Sequence, residues 1–455
     1  MMSSKGARVT ISVFWKVCLV WGIILVTFYS GIGALDQRFA SVSVAEEQAS
    51  QPRSAAPWSV LQRVLNNIFA SEDAFPVLPQ RLEESEASSA PVYEAGTYDR
   101  GELRIVNQVP VLILRGKPEE IAIQESKLTS DAIANLVIAP QEFLRQLNYP
   151  GGWEGLIARG RNFWRYVPEN YRRELVTMAE AAGLNHDELF AINVLPDIYR
   201  SIACSSLIVL PERSATGKVL FGRNLDFFSP RQLYRYTIVK VYESDGGGHR
   251  FVSIGFPGFV GCLTGMNDAG LCLAVHEVHF TNDGSPICSP HGIPYAMMTR
   301  QIMEHCSNVE EAIAHLRKSP RTTLLNIALC DPKRAVVAEI TPKTVAVREA
   351  ERGLLACTNH FCTPELKVFV ISRRYGELLE AYNIPKIDVA TVQKKLDDVN
   401  LGFLSIQSVV FEPEDLVMHL SAGFPPVTKR PYHRLEMRTF LQSEAKASSP
   451  TISSR

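Results

Sequence analysis

At Ala203 this 455-residue sequence changes its hydrophobic period. Upstream, Val106–Leu114 is strand-like and leads into Pro118, which opens a helical pattern running to about Leu147, and Pro168 opens another that Gly183 stops after Ala182. Asn185 with Glu188 forms a capping-box-like start for a helix over Asp187–Asn193. Downstream, short β-rich runs take over at Ser205–Leu210, Val219–Leu225, Tyr236–Tyr242 and Phe251–Gly255, separated by turns such as Asp245-Gly246-Gly247-Gly248. Helical patterns follow at Pro294–His305 and Val309–Lys318, and strands resume at Thr323–Cys330, Ala335–Ile340 and Thr344–Arg348. Strands, then helices, then strands predict an α+β fold whose antiparallel sheets are covered by helices.

The N-terminal region is of a different kind. The first 16 residues carry Lys5, Arg8 and Lys16 and no acid, and Val17–Leu35 then runs 19 residues without a charge. At 1.5 Å per residue this run nearly crosses a ~30 Å hydrocarbon core. Residues 1–35 therefore predict a signal anchor, or a signal peptide cleaved near Gly31, Gly33 and Ala34. The basic N-terminal flank sends the rest of the chain to the extracytoplasmic side, secreted if the signal is cut. Residues 36–100 hold 5 Arg/Lys against 10 Asp/Glu and are rich in Ser, Ala, Gln and Pro, the composition of a flexible acidic linker. Ser59–Ala70 carries apolar residues at helical spacing within it.

Composition narrows the chemistry. A formal charge of −1 gives no basic surface for nucleic acid. Nine cysteines over this length do not form a disulfide framework and leave room for a catalytic thiol. His276-Glu277-Val278-His279 lacks the His-Glu-x-x-His spacing that places two ligands on one helical face, so no metal is expected, and no phosphate loop or other cofactor motif is present. Cys204-Ser205-Ser206 opens a strand, and Phe221-Gly222-Arg223-Asn224-Leu225-Asp226-Phe227 lies a hairpin's length onward. On a regular strand Arg223 and Asp226 point to opposite faces, so both reach the thiol only where the strand end bends. Gly265-Met266-Asn267-Asp268-Ala269-Gly270-Leu271, Thr358-Asn359-His360-Phe361 and Ser372-Arg373-Arg374-Tyr375 follow in order.

This ordered set resembles the Ntn hydrolases of the choloylglycine hydrolase, penicillin acyltransferase and acid ceramidase-like group, over about residues 101–435. The resemblance implies an αββα four-layer sandwich of two antiparallel sheets. It also implies a helical pro-region at 101–203 that packs on a catalytic domain at 204–455, with Cys204 becoming N-terminal after autocleavage at Ala203–Cys204. The implied activity is hydrolysis or acyl transfer at a linear amide of a small N-acyl substrate, with no cofactor. The pro-part then has to stay associated with the catalytic part, or the latter leaves the membrane.

The chemistry suits those residues. An α-amine titrating near 7.7–8.0 serves as base toward its own thiol, and Arg223 nearby favours the thiolate. Asp226 is the candidate to hold the new amine. By the family pattern Asn359 donates to the oxyanion, and Arg374 links the site, holding Asp226 or the polar end of the substrate. Glu277 falls where the ceramidase-like branch has a glutamate, with His276 one residue away as the alternative. Phe227, Phe228, Phe256, Phe259 and Val260 favour a lipophilic acyl chain. Two competing readings remain at this stage: a catalytically inactive binding module at the outer membrane face, and a Cys–His peptidase using His276 or His360.

Overall fold

The computed structural model describes residues 92–146, 151–200, 202–227 and 229–442. The apolar run at 17–35, most of the acidic linker with its Ser59–Ala70 segment, and Phe228 lie outside the described residues. Among the described residues no helix is long and apolar enough to cross a membrane.

The polypeptide is a mixed α/β structure built on two sheets. Strands are β1 (Gly96–Tyr98), β2 (Gly101–Val106), β3 (Val109–Gly116), β4 (Ala203–Val209), β5 (Leu220–Asp226), β6 (Ile238–Ser244), β7 (Phe251–Gly255), β8 (Thr264–Asn267), β9 (Cys272–Glu277), β10 (Leu325–Cys330), β11 (Ala335–Ile340), β12 (Val345–Glu349), β13 (Leu354–Cys357), β14 (Ser405–Glu412), β15 (Val417–Ala422) and β16 (His433–Glu436). The first sheet has the order β1-β2-β3-β6-β7-β8-β9-β10-β11-β12, and the second β13-β4-β5-β14-β15-β16. Helices are α1 (Pro118–Gln146), α2 (Gly152–Arg161), α3 (Glu169–Ala182), α4 (His186–Ile198), α5 (Tyr295–His305), α6 (Val309–Lys318), α7 (Arg373–Leu379), α8 (Val389–Asp398) and α9 (Arg438–Leu441).

Three apolar cores stack these elements. Phe221, Ile208, Val409 and Leu355 of the second sheet meet Val111, Val239, Ile254 and Ala274 of the first, filling the space between the sheets. The opposite face of the first sheet (Leu114, Tyr242, Leu273, Ile327) packs on Ile121 and Ala132 of α1, Met298 and Ile302 of α5, and Ile313 of α6. The opposite face of the second (Leu207, Val209, Leu220, Val410) packs on Leu378 of α7 and on Val392 and Leu396 of α8. Helices therefore cover both outer faces. The alternation inside strands follows from the period of 2, which sends Ile208 and Leu207 to different cores.

Local chemistry sets the helix starts. The Asn185 side chain accepts from the backbone N–H groups of Asp187 and Glu188, as its capping-box position predicts. Ser372 caps α7 by accepting from Tyr375 N–H, and Asp388 caps α8 by accepting from Thr391 N–H.

Two expectations need correction. The region upstream of Cys204 is not only helical: β3 takes up the strand-like run at 106–114 and, with β1 and β2, extends the first sheet, so the flexible linker gives way to sheet structure by Gly96 rather than at 101. The sheets are also not wholly antiparallel, because β3 pairs with β6 in parallel, Val111 opposite Val239. That pairing joins elements separated by α1 to α4 and the β4–β5 hairpin, and only a long crossover makes it possible. The residues on either side of Ala203–Cys204 belong to one compact unit.

Candidate active site

The β4–β5 hairpin fixes the central geometry. Its register sets Cys204 opposite Leu225, Ser206 opposite Arg223 and Ala203 opposite Asp226. Cys204 and Arg223 both face the space between the sheets, where Arg223 Nη2 donates to Cys204 Sγ at 3.5 Å and to Val275 O at 3.4 Å. Both side chains are buried. Burial pushes the Cys204 thiol up to about 12, while the positive charge of Arg223 acts in the opposite direction.

Asp226 leaves the strand on the other face, as the three-residue separation from Arg223 requires. Its carboxylate accepts from Ser405 Oγ at 2.5 Å and lies 3.7 Å from Arg374 Nη1. Burial raises the Asp226 pKa, against the lowering effect of Arg374. No bond joins Asp226 to Sγ; it reaches Cys204 through Arg374. That arginine sits in the first turn of α7, aimed by the Ser372 cap. Its Nη1 donates to Cys204 O at 2.9 Å and its Nη2 to Asn359 Oδ1 at 2.9 Å.

Asn359 arrives through the neighbouring strand. β13 pairs with β4 so that Cys357 lies opposite Ser206, and two residues further on Asn359 reaches the level of Cys204. Its Oδ1 accepts from Cys204 N–H at 3.0 Å. Its Nδ2 donates to Glu277 O at 2.9 Å and Ile202 O at 3.3 Å. In the intact chain, then, the amide that the family pattern assigns to an oxyanion is engaged by Glu277 O of β9 and by Ile202 O of the segment preceding Cys204.

His276 and Glu277 alternate across β9. His276 Nε2 pairs with Ser206 Oγ at 2.9 Å, and burial holds its pKa well below the usual histidine range. Glu277 accepts from Ile202 N–H at 3.0 Å and Tyr295 OH at 3.2 Å, and Arg200 Nε lies 3.8 Å away. Burial raises Glu277 to about 7 and the neighbouring Asp197 to about 6. Glu277 does not line the apolar cleft; it grips the residues just before Cys204. Arg200 anchors that same segment by donating to Leu324 O at 2.6 Å, Val278 O at 3.1 Å and Thr323 Oγ1.

Beside Cys204 lies an apolar cleft with about 920 Å³ of space, part of it open to solvent. Its lining includes Leu225, which lies opposite Cys204 in the hairpin, and Ile202, two residues before Cys204, together with Phe227, Phe256, Phe259 and Leu233. Its almost wholly apolar lining suits the apolar part of a small molecule. The upstream helices complete the wall with Leu136, Ala139, Pro140 and Leu144 of α1 and Ile192, Leu195 and Pro196 of α4. Val260 lies in a separate core.

The structure thus gathers Cys204, Arg223, Asp226, Asn359 and Arg374 into one network, with Glu277 beside it and Phe227 and Phe256 in the cleft. Sequence reasoning missed Arg200, Tyr295 and Ser405. Arg200 carries no motif, and nothing local distinguishes it from a surface arginine. Ser405 had a usable signal, since it begins the strand that pairs with the end of the Gly-Arg-Asn-Leu-Asp strand. The eight described cysteines are free thiols, including Cys357 and Cys362 on either side of Asn359.

The curated relatives are distant. The chain is 23% identical over 309 residues to an uncharacterized protein of Archaeoglobus fulgidus, covering 56% of this chain and 50% of that protein. It is 24% identical over 275 residues to protein dcd1B of Dictyostelium discoideum, covering 54% and 53%. Protein dcd1A of the same organism matches at 26% over 167 residues, covering 35% of this chain and 36% of that protein. The chain spans about half or less of the length of these relatives. Among solved structures it is similar to the N-acylethanolamine-hydrolyzing acid amidase ortholog of Caenorhabditis elegans, with a TM-score of 0.38 and 16% identity over 51% of this chain and all of that one. A conjugated bile acid hydrolase of Clostridium perfringens matches with a TM-score of 0.38 and 14% identity, over 52% of this chain and 93% of that one. Penicillin V acylase from Agrobacterium tumefaciens matches with a TM-score of 0.35 and 16% identity, over 48% and 83%. Residues 213–414 match the family model described as acyl-coenzyme A:6-aminopenicillanic acid acyl-transferase. That match begins after Cys204 and takes in Arg223, Asp226, Glu277, Asn359 and Arg374.

Proposed function

We propose that this chain is an Ntn-type amidohydrolase or acyltransferase that cleaves the linear amide of an N-acyl substrate through an acyl-thioester on Cys204. The observation that carries this reading is the placement of Cys204 itself. Its Sγ is bonded by Arg223, its backbone N–H by Asn359 and its carbonyl by Arg374, and Leu225 opposite it lines the apolar cleft.

In the first stage the Cys204 thiol attacks the Ala203 carbonyl. The peptide C–N bond breaks, the proton passes to the leaving nitrogen, and water opens the resulting thioester at Ala203. The C–N cleavage frees the α-amine of Cys204, and hydrolysis of the thioester returns its thiol. Asn359 Oδ1 already accepts from that nitrogen, and Arg374 keeps Asp226 close at hand. The new amine, with an ordinary pKa near 7.7–8.0, takes the thiol proton during attack on a substrate amide. The acyl group moves to Sγ, the proton goes on to the departing amine, and water or a second amine then accepts the acyl group. Withdrawal of Ile202 frees Asn359 Nδ2 to donate to the tetrahedral oxyanion, a contribution of about 3 kcal/mol for one such donor.

The cleft favours a lipophilic acyl chain. A signal anchor or cleaved signal at 17–35 fits this reading by delivering the catalytic part to the extracytoplasmic side. The Cys–His peptidase alternative gains no support from the geometry. His276 is committed to Ser206, while His360 bonds Thr358 and is lowered to about 4 by burial.

The test is to purify the full chain, look for a fragment starting at Cys204, and measure free amine released from acyl amides of varied chain length. Fragment formation and turnover, both lost in Cys204→Ala, are expected. An intact chain whose Cys204→Ala variant keeps full amidase activity overturns the proposal, and an intact chain with no turnover leaves the binding-module reading.

A further inference from the structure

The loop between β7 and β8 presents Phe256, Pro257 and Phe259 to the cleft, and its backbone is held by buried polar side chains. Asn193 of α4 makes a two-point contact: its Nδ2 donates to Gly258 O at 2.8 Å and its Oδ1 accepts from Val260 N–H at 2.7 Å. Glu125 of α1 accepts from Gly258 N–H at 2.8 Å. From the downstream part, Lys240 Nζ donates to Phe259 O at 2.5 Å and lies 3.3 Å from Glu125, and Arg300 donates to Val260 O at 2.9 Å. Gly258 has φ of +77°, and a Cβ there would sit 3.1 Å from Ile133 of α1 and 3.5 Å from Leu189 of α4.

Burying a carboxylate and an amide among apolar helices costs free energy that well-packed hydrophobic residues would not. What these groups supply is direction, because each aims at a particular backbone atom of one short segment. Asn193 acts toward Gly258–Val260 as a neighbouring strand would. It also lies one residue from Ile192 and two from Leu195, which line the same cleft. The position of Phe256 and Phe259 is therefore tied to a helical turn that lines the cleft with them.

We infer that Asn193 and Glu125, both upstream of the proposed cut, are positioning residues for acyl-chain selectivity: they clamp the Phe256–Val260 loop and so set the width of the cleft. This rests on the amidase reading above. It makes the upstream part a specificity-setting piece of the finished enzyme rather than a discarded leader.

The experiment uses the full chain with Asn193→Asp, which keeps the acceptor for Val260 N–H but loses the donor to Gly258 O, and with the near-isosteric Glu125→Gln. KM and kcat are measured for acyl amides from 2 to 16 carbons, and thermal unfolding is checked in parallel. The expected result is a fall of roughly tenfold or more in the ratio of kcat/KM for long over short acyl chains, carried mainly by KM for the long ones. A common-factor loss at all lengths, or an unchanged ratio, overturns the inference. In the Cys204→Ala chain, binding of a dansyl-labelled dodecanamide is the second readout. Should wild type turn over no amide, the amidase reading fails by itself, and tenfold weaker probe binding by Asn193→Asp still supports the clamp. Equal probe binding by that chain and its Asn193→Asp version overturns it.

Discussion

Replacing Arg374 by Met should expose how the site is held together, and its cost can be worked from the geometry. The variant loses two hydrogen bonds of 2.9 Å and leaves Asp226 without the cation 3.7 Å away. At that distance and an effective dielectric near 20 the attraction is about 4 kcal/mol. Removing one member of a buried pair costs about 3–5 kcal/mol, because the remaining charge is stranded. Asp226 already has a raised pKa from burial, so it escapes by protonating as pH falls. For a carboxyl raised in the folded state, stability is greatest at low pH and declines as pH rises through the folded pKa. The deficit of Arg374→Met should therefore widen with pH, at no more than about 1.4 kcal/mol per unit for one proton. Urea unfolding of Cys204→Ala chains between pH 5 and 8 measures this, and adding Asp226→Asn to Arg374→Met should recover part of the loss. A deficit that is flat with pH, together with strictly additive single and double variants, would refute the reasoning.

Other consequences are equally open to measurement. Glu277, raised from 4.5 to about 7, makes the fold less stable as pH rises through that window, by roughly 3 kcal/mol in all. Urea midpoints of Glu277→Gln in the Cys204→Ala background should show a flatter pH dependence, and an unchanged profile counts against the assignment. Arg223→Leu removes the donor to Sγ and should slow cleavage at Ala203–Cys204 at least tenfold, followed by gel densitometry; an unaltered rate removes Arg223 from the mechanism. A Cβ at Gly222 would collide with Val392 of α8. Gly222→Ala should therefore cost about 1–3 kcal/mol by overpacking, and denaturation at wild-type urea concentration would show that α8 yields freely.

The parts of the site that were legible in the sequence are those set by local rules. Cys204-Ser205-Ser206 and Phe221–Asp226 pair because a hairpin joins strands of matching period, and the opposite faces of Arg223 and Asp226 follow from strand alternation. Asn359 and Arg374 were reachable only because their motifs follow in family order. Two features were hidden because pairing across long separations leaves no local trace. One is the parallel contact of β3 with β6, which docks the strand-like run before Pro118 onto the downstream strands of the first sheet. The other is Arg200, whose partners Val278, Thr323 and Leu324 are scattered downstream. The choice between His276 and Glu277 was undecidable from composition, since neighbours on a strand differ only in which face is buried against what. Glu277 reaches Ile202 N–H, and His276 turns to Ser206.

The central claim is that Cys204 is the acyl-accepting nucleophile. It is tested most directly by peptide mass mapping of the full chain after brief reaction with a long-chain acyl p-nitrophenyl ester. The account predicts one acyl group, on a peptide beginning at Cys204 and sensitive to neutral hydroxylamine as a thioester is. An acyl group on another residue, or none on Cys204 in a chain that is turning over amide, would contradict it.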